Sequence, residues 1–168
     1  MIHLKRARPE EASVLTAIQK ESFDRECTRY GQEEQGGPPG YAEEAWQLAM
    51  MQDMHYFAIL EGEEETAEGD RLDRLIGGAI VSENAAAGIC HLGRIFLHPD
   101  KQGSGMGKVA MLALEQQYPD AIRWELDTPD WALRNHRFYP SCGYRKVNEA
   151  NGFYYYAKDK SPSPPDRG

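Results

Sequence analysis

The chain has 168 residues, enough for one domain with a substantial buried core. With 40% hydrophobic and 27% charged residues it has the balance of an ordinary globular chain, and no apolar run approaches the ~20 residues a membrane span needs. A formal net charge of −8 argues against nucleic acid as a partner, since phosphate backbones require a basic face; it favours solubility and is compatible with a cationic small molecule.

Residues 2–7 alternate apolar and polar side chains and read as a strand. Pro9, followed by Glu10 and Glu11, opens a helix whose buried face is Val14, Leu15 and Ile18. Residues 25–40 lack a period and are rich in Gly, Gln and Pro, so they read as a loop. Ala42, Ala45, Trp46, Ala49 and Met50 recur at helical spacing, and this stripe is expected to face the core. Residues 55–60 form a strand, and the charged stretch 61–74 reads as a solvated connection. The strand over 75–83 contains Gly77-Gly78, which marks a bulge or a close approach. Residues 84–88 turn the chain into a strand over 89–97.

The helix expected over 105–118 stacks Met106, Val109, Ala110 and Ala113 and stops at Pro119. A strand follows over 122–127. Asp130 is the expected cap of a helix reaching Cys142, with Gly143 just past its end. Pro140 lacks an N–H and crowds the His136 carbonyl, so a kink beside Tyr139 is expected. Strands over 144–147 and 153–157 finish a single domain spanning 1–158. The tail, 159–168, is expected to be disordered, because its Ser-Pro-rich end has nothing to pack. The order β-α-α-β-β-β-α-β-α-β-β predicts an α/β fold with a mixed, mostly antiparallel sheet flanked by helices. Cys27, Cys90 and Cys142 have neither metal nor disulfide spacing, and the N-terminus lacks a signal-like apolar region; a reducing cytoplasmic setting is expected.

The chemistry concentrates where the strand over 89–97 meets the next helix. There Gln102-Gly103-Ser104-Gly105-Met106-Gly107-Lys108 places three glycines at a helix start. Glycine permits positive φ and close approach, and the first-turn N–H groups and the helix dipole attract phosphate. The run is not a Walker A loop, because Val109 follows Lys108 where a hydroxyl is required. Nor is it a dinucleotide fingerprint, because Lys108 stands where the third glycine belongs. It fits Q/R-x-x-G-x-G/A, and so resembles the acetyl-CoA pyrophosphate loop of the GNAT superfamily of N-acetyltransferases. The segment TPDWALRNHRFYPSCGY resembles a bacterial subgroup of that family with a TPxW…NHxFYxxxGY pattern.

That resemblance implies a GNAT-like fold and acetyl-CoA as co-substrate, with no metal. It implies that Gln102, Gly103, Ser104, Gly105, Met106, Gly107 and Lys108 hold the pyrophosphate. The backbone of Ile95, Phe96 and Leu97 would line the pantetheine arm, with the Ile95 N–H on the thioester carbonyl. Asn135 would contact the cofactor, and Tyr139, one helical turn on, would protonate the departing thiolate. Strand alternation puts residues 91, 93, 95 and 97 on one face and leaves Arg94 as a structural residue. His91 is the candidate general base, with Glu125, Asp127 and His136 as alternatives.

No cysteine sits in a nucleophile–base motif, so the expected reaction is direct attack by an amine in a ternary complex. A non-catalytic acyl-CoA sensor on the same fold is the alternative. The acceptor stays open among free amino acids, small amines, aminoglycoside-like molecules and peptide N-termini. So does the oligomeric state, a homodimer included.

Overall fold

The structure is a computed structural model describing residues 1–32, 36–62 and 71–160. In chain order its elements are β1 (Ile2–Arg6), α1 (Ala12–Arg29), α2 (Glu44–Asp53), β2 (His55–Glu61), β3 (Leu75–Asn84) and β4 (Ile89–Leu97). Then come α3 (Met106–Gln116), β5 (Arg123–Pro129), α4 (Asn135–Ser141), β6 (Arg145–Ala150) and β7 (Phe153–Asp159). A seven-stranded sheet runs β1-β2-β3-β4-β5-β7-β6. Every neighbouring pair is antiparallel except β4 and β5, which the crossover through α3 makes parallel. This is the mixed, mostly antiparallel sheet expected from the order of elements.

The sheet buries both faces. On one, Cys90, Leu92, Trp124 and Leu126 pack with Ala110, Met111 and Leu114 of α3 and Tyr139 of α4. On the other, Tyr56, Ala58, Ile80 and Phe96 pack with Leu15 and Ile18 of α1, while α2 contributes Trp46 and Met50. Gly77 and Gly78 are close approaches, as anticipated. A Cβ on Gly77 would lie 2.1 Å from the Phe96 carbonyl oxygen, and one on Gly78 would lie 2.7 Å from the Phe96 ring. Here β3 also carries an extra residue against β2, between the partners of Ile59 and Leu60.

Five expectations shift. The α1 helix continues through residues read as loop, to Arg29, supported by the i,i+4 pair of Arg25 with Glu21 and by burial of Cys27. In α2, Ala45 and Ala49 face solvent, while Gln47 is buried beside Trp46 and Met50. Gln47 tolerates this because it donates to the Gly40 carbonyl and accepts from Gln19 and Tyr56. In α3, Val109 is 49% exposed; the buried arc is Ala110, Met111, Leu114 and Glu115. Glu115 is tolerated there because Tyr144 and Lys158 donate to it.

Finally, α4 starts at Asn135, and the Asp130 N–H goes to the Gly152 carbonyl instead of opening a helix. β7 extends to Asp159, and the Lys160 N–H reaches the Ile122 carbonyl, so ordered chain passes the boundary drawn at residue 158. Most of the charged connection, 63–70, and the tail, 161–168, lie outside the described residues. Among the described residues no helix is long and apolar enough to cross a membrane.

Candidate active site

The site begins where two strands part. Parallel pairing of β4 with β5 runs from Ile89 opposite Arg123 to Leu92 opposite Leu126 and stops. Beyond it, β5 stays paired with β7 as far as Pro129 opposite Phe153, leaving the β4-facing edge open. In β4, Arg94 faces Ile80 and Leu92 faces Val81, so Gly93 is an unpaired bulge residue. A bulge bends its strand and resets the alternation of faces. Cys90 and Leu92 lie on the α3 face, and so do Ile95 and Leu97. His91 falls on the opposite face, with Arg94 and Phe96. The expected single face for 91, 93, 95 and 97 is therefore broken at Gly93.

Backbone direction follows from the same pairing. The His98 N–H donates to the Ile76 carbonyl at 2.7 Å, so antiparallel alternation turns the Phe96 and Arg94 amides towards β3. The Ile95 and Leu97 amides then point into the gap, as the cofactor assignment requires. Phe96 does not fit that assignment: its backbone faces β3 and its ring is buried against α1.

The gap leads to the glycine-rich turn. Gly103 and Gly105 have φ of +79° and +84°, and nothing lies within 4 Å of a Cβ built on either. The Gln102 N–H bonds the Pro99 carbonyl, and the Val109 N–H bonds the Gly105 carbonyl. Among the described residues, none of the amides of residues 103–108 finds an acceptor. They include those of Ser104, Met106 and Lys108, and α3 adds the positive end of its dipole. The turn is held from outside. Gln102 donates both amide hydrogens, to the Leu97 carbonyl at 3.0 Å and to Ser22 of α1 at 3.1 Å. Its side chain thus positions the loop and has no donor left for a phosphate. Gly107 has a second role, since its Cβ would lie 3.0 Å from Phe138 where α3 meets α4.

Tyr139 sits in the last turn of α4, 7% exposed, its ring against Phe138, Tyr144 and Tyr156. Burial raises its phenol pKa most, and the fields of Cys142 and Asp127 raise it further. The Pro140 kink does not materialise as a break. The helix closes normally, the Gly143 N–H returning to the Pro140 carbonyl and the Tyr144 N–H to the Tyr139 carbonyl, with Gly143 at φ +95°. Asn135 donates to the Thr128 hydroxyl at 2.9 Å, tying α4 to β5.

Of the candidate bases, His91 and Asp127 lie beside each other. Its Nε2 lies 3.4 Å from Asp127 Oδ1, and the two side chains are 45% and 37% exposed at the mouth of the gap. Glu125 accepts from Arg123 at 2.9 Å. His136 has both nitrogens engaged: Nε2 donates to the Asp130 carbonyl, so Nδ1 accepts from the Tyr156 hydroxyl. The sequence offered His91 and Asp127 as rivals; their proximity depends on the β4–β5 register. Among the described residues, no group of three or more His, Cys, Asp or Glu could hold a metal. All three cysteines are buried.

The family profile described as "Acetyltransferase (GNAT) family" matches residues 15–144. The curated protein YrkN of Bacillus subtilis (strain 168), itself uncharacterised, is 36% identical over 77 residues, 45% of this chain. That match spans 42% of YrkN's own length. Among solved structures, the PaiA N-acetyltransferase of Thermoplasma acidophilum in complex with coenzyme A superposes with a TM-score of 0.76. It is 16% identical, with 95% of this chain and 99% of that one covered. An acetyltransferase from Thermus thermophilus gives a TM-score of 0.75 at 16% identity, over 95% of this chain and 97% of that one. With the parted strands, the unpaired turn amides and the family profile in agreement, the chain belongs to the GNAT family of acetyltransferases.

Proposed function

We propose that this acetyltransferase moves the acetyl group of acetyl-CoA to the amine of a small molecule, by direct attack in a ternary complex. One observation carries the reading. The unpaired amides of residues 103–108 continue into the outward-facing Ile95 and Leu97 backbone. That run suits a diphosphate followed by an extended arm carrying amides.

In this reading the thioester carbonyl accepts from the Ile95 N–H, which stabilises the oxyanion as the amine adds. His91, steadied by Asp127, takes the proton from the incoming ammonium. The tetrahedral intermediate expels the thiolate as its C–S bond breaks, Tyr139 supplies the thiolate's proton, and the second proton shed by the nitrogen as the amide forms restores the phenol through solvent. Most of the acceleration comes from holding amine and thioester together. The setting is cytoplasmic.

A thiol-release assay with acetyl-CoA and a panel of amines tests this. The panel holds a polyamine, amino acids, an aminoglycoside and a short peptide. Turnover of at least one amine is expected. Tight CoA binding with no turnover on any of them would favour the alternative, an acyl-CoA sensor. The lack of a glutamate on β4 and the depth at which Tyr139 is buried favour that second reading.

A further inference from the structure

Two of the half-buried cations among the described residues sit on carboxylates: Arg71 meets Glu11 at 2.7 Å, and Lys158 meets Glu115 at 2.8 Å. Arg94 is placed differently. Burial lowers its pKa to about 10, yet no carboxylate among the described residues lies within ion-pair reach of it. This is so in a chain of 27 acids and 19 Lys and Arg. A half-buried charge without a counter-charge is costly unless a ligand supplies one.

The guanidinium is nevertheless fixed in place. Its Nη1 donates to Gln19 at 2.8 Å, its Nη2 donates to the Pro39 carbonyl at 2.9 Å, and it lies over the Trp46 ring at 4.1 Å. Gln19 is in turn held by the fully buried Gln47, which Tyr56 also binds. All these partners are neutral. The Nε–H and one hydrogen on each Nη have no acceptor among the described residues, leaving a forked donor set that matches a carboxylate.

Its location matters. Arg94 precedes Ile95, the residue whose N–H would bind the thioester. Its side chain is on the α1–α2 face, with His91, opposite the face filled by α3 and α4. On the β3 side its cross-strand neighbour Ile80 is buried, and on the other side β4 has no paired strand beyond Leu92, so Arg94 borders the strand gap. In the acetyl-transfer reading the thioester lies in the gap towards α3 and α4, which leaves the α1–α2 side for the amine.

We propose that Arg94 anchors a carboxylate on the acceptor, so that the amine acetylated is amino-acid-like rather than a polyamine. This rests on the acetyl-transfer reading above and narrows its acceptor.

Two matched pairs test it: L-lysine against cadaverine, and L-phenylalanine against 2-phenylethylamine, each with acetyl-CoA. In whichever pair turns over, the amino acid should win in kcat/KM by about tenfold or more, the worth of one charge-assisted hydrogen bond. Arg94→Gln should raise the KM of the amino acid and lose far more on it than on its decarboxylated partner. Preference for cadaverine or 2-phenylethylamine by the wild type would overturn the assignment. So would equal losses on both members of a pair, the mark of a packing role.

Arg94→Lys, which keeps the charge and loses the fork, covers the case where Arg94→Gln does not fold. It should raise the amino acid's KM, and an unchanged KM would count against the proposal. Calorimetry of L-lysine and L-phenylalanine with the CoA-loaded protein separates the two levels of inference. Arg94-dependent binding without turnover would keep the carboxylate site and point to the sensor; absence of binding would remove the carboxylate site and leave acetyl transfer to be decided by the wider amine panel.

Discussion

Tyr139 is a phenol kept protonated by its surroundings. Desolvation comes first, and the neighbouring fields of Cys142 and Asp127 add to it, all raising the pKa. The phenol therefore carries its proton throughout the neutral range, which is the state the proposed general-acid role needs. Tyr139→Phe should lower kcat by roughly 10²-fold, the lower end of general-acid effects, with CoA affinity nearly unchanged. Steady-state kinetics with calorimetry of CoA checks this, and a wild-type kcat would show that water protonates the thiolate. His91→Gln should lower kcat/KM for the amine near neutral pH. The loss should shrink as the pH approaches the amine's own pKa, where solvent has already removed the proton. A loss constant across pH would take the base role away from His91. These residues were legible in the sequence as types at family positions. Their partnerships were not: His91 and Asp127 meet only through strand register, and Gln102 turns inward because Ser22 of α1 lies across from it.

At the scale of elements, the turn between β4 and α3 is the part whose local sequence says most. Gly105 has space in front of it and left-handed backbone, so Gly105→Val should cost the free protein only about 1–2 kcal/mol of backbone strain. Its side chain would occupy the room left for phosphate, and CoA affinity should fall at least tenfold in calorimetry. Undiminished affinity would move the phosphate elsewhere. Gly107→Ala tests a different contact. A methyl 3.0 Å from Phe138 presses α3 against α4 and should destabilise the fold by about 1 kcal/mol in urea titration. Helices α2 and α3 show the limit of pattern reading. Both exist where periodicity puts them, yet each is turned about its axis from the face expected. Gln47 and Glu115 are buried because partners distant in sequence satisfy them, and a hydrophobicity pattern assigns such residues to the outside.

Across the whole molecule, stability should depend on pH partly through His55, which joins the start of β2 to the end of α3. Its ring stacks on Tyr118, and its Nδ1 lies 2.6 Å from the Tyr118 hydroxyl. Burial, then the nearby Arg6 charge, lowers its pKa below the ordinary histidine value. The unfolded chain consequently takes up this proton first as the pH falls. Stability is complete above about pH 6.5 and declines below it, towards the depressed native value. His55→Phe, which keeps the stacking and cannot titrate, should show a smaller drop in Tm between about pH 7 and about pH 5. Equal drops in both proteins would assign the acid sensitivity to other groups.

What the sequence determined alone is whatever depends on neighbours along the chain. That covers the order of strands and helices, the positive-φ glycines of the turn before α3, and the Gly143 helix end. Positive φ and first-turn amides are local properties, settled within a few residues. The tertiary structure decided which groups face one another. The Gly93 bulge exists only against Ile80 and Val81, and the gap only because β5 keeps pairing with β7 where it leaves β4. Arg94 reads as a structural residue in one dimension. Its setting comes only from the tertiary structure, where α1, α2 and the segment around Pro39 close over it and, among the described residues, bring no carboxylate within ion-pair reach.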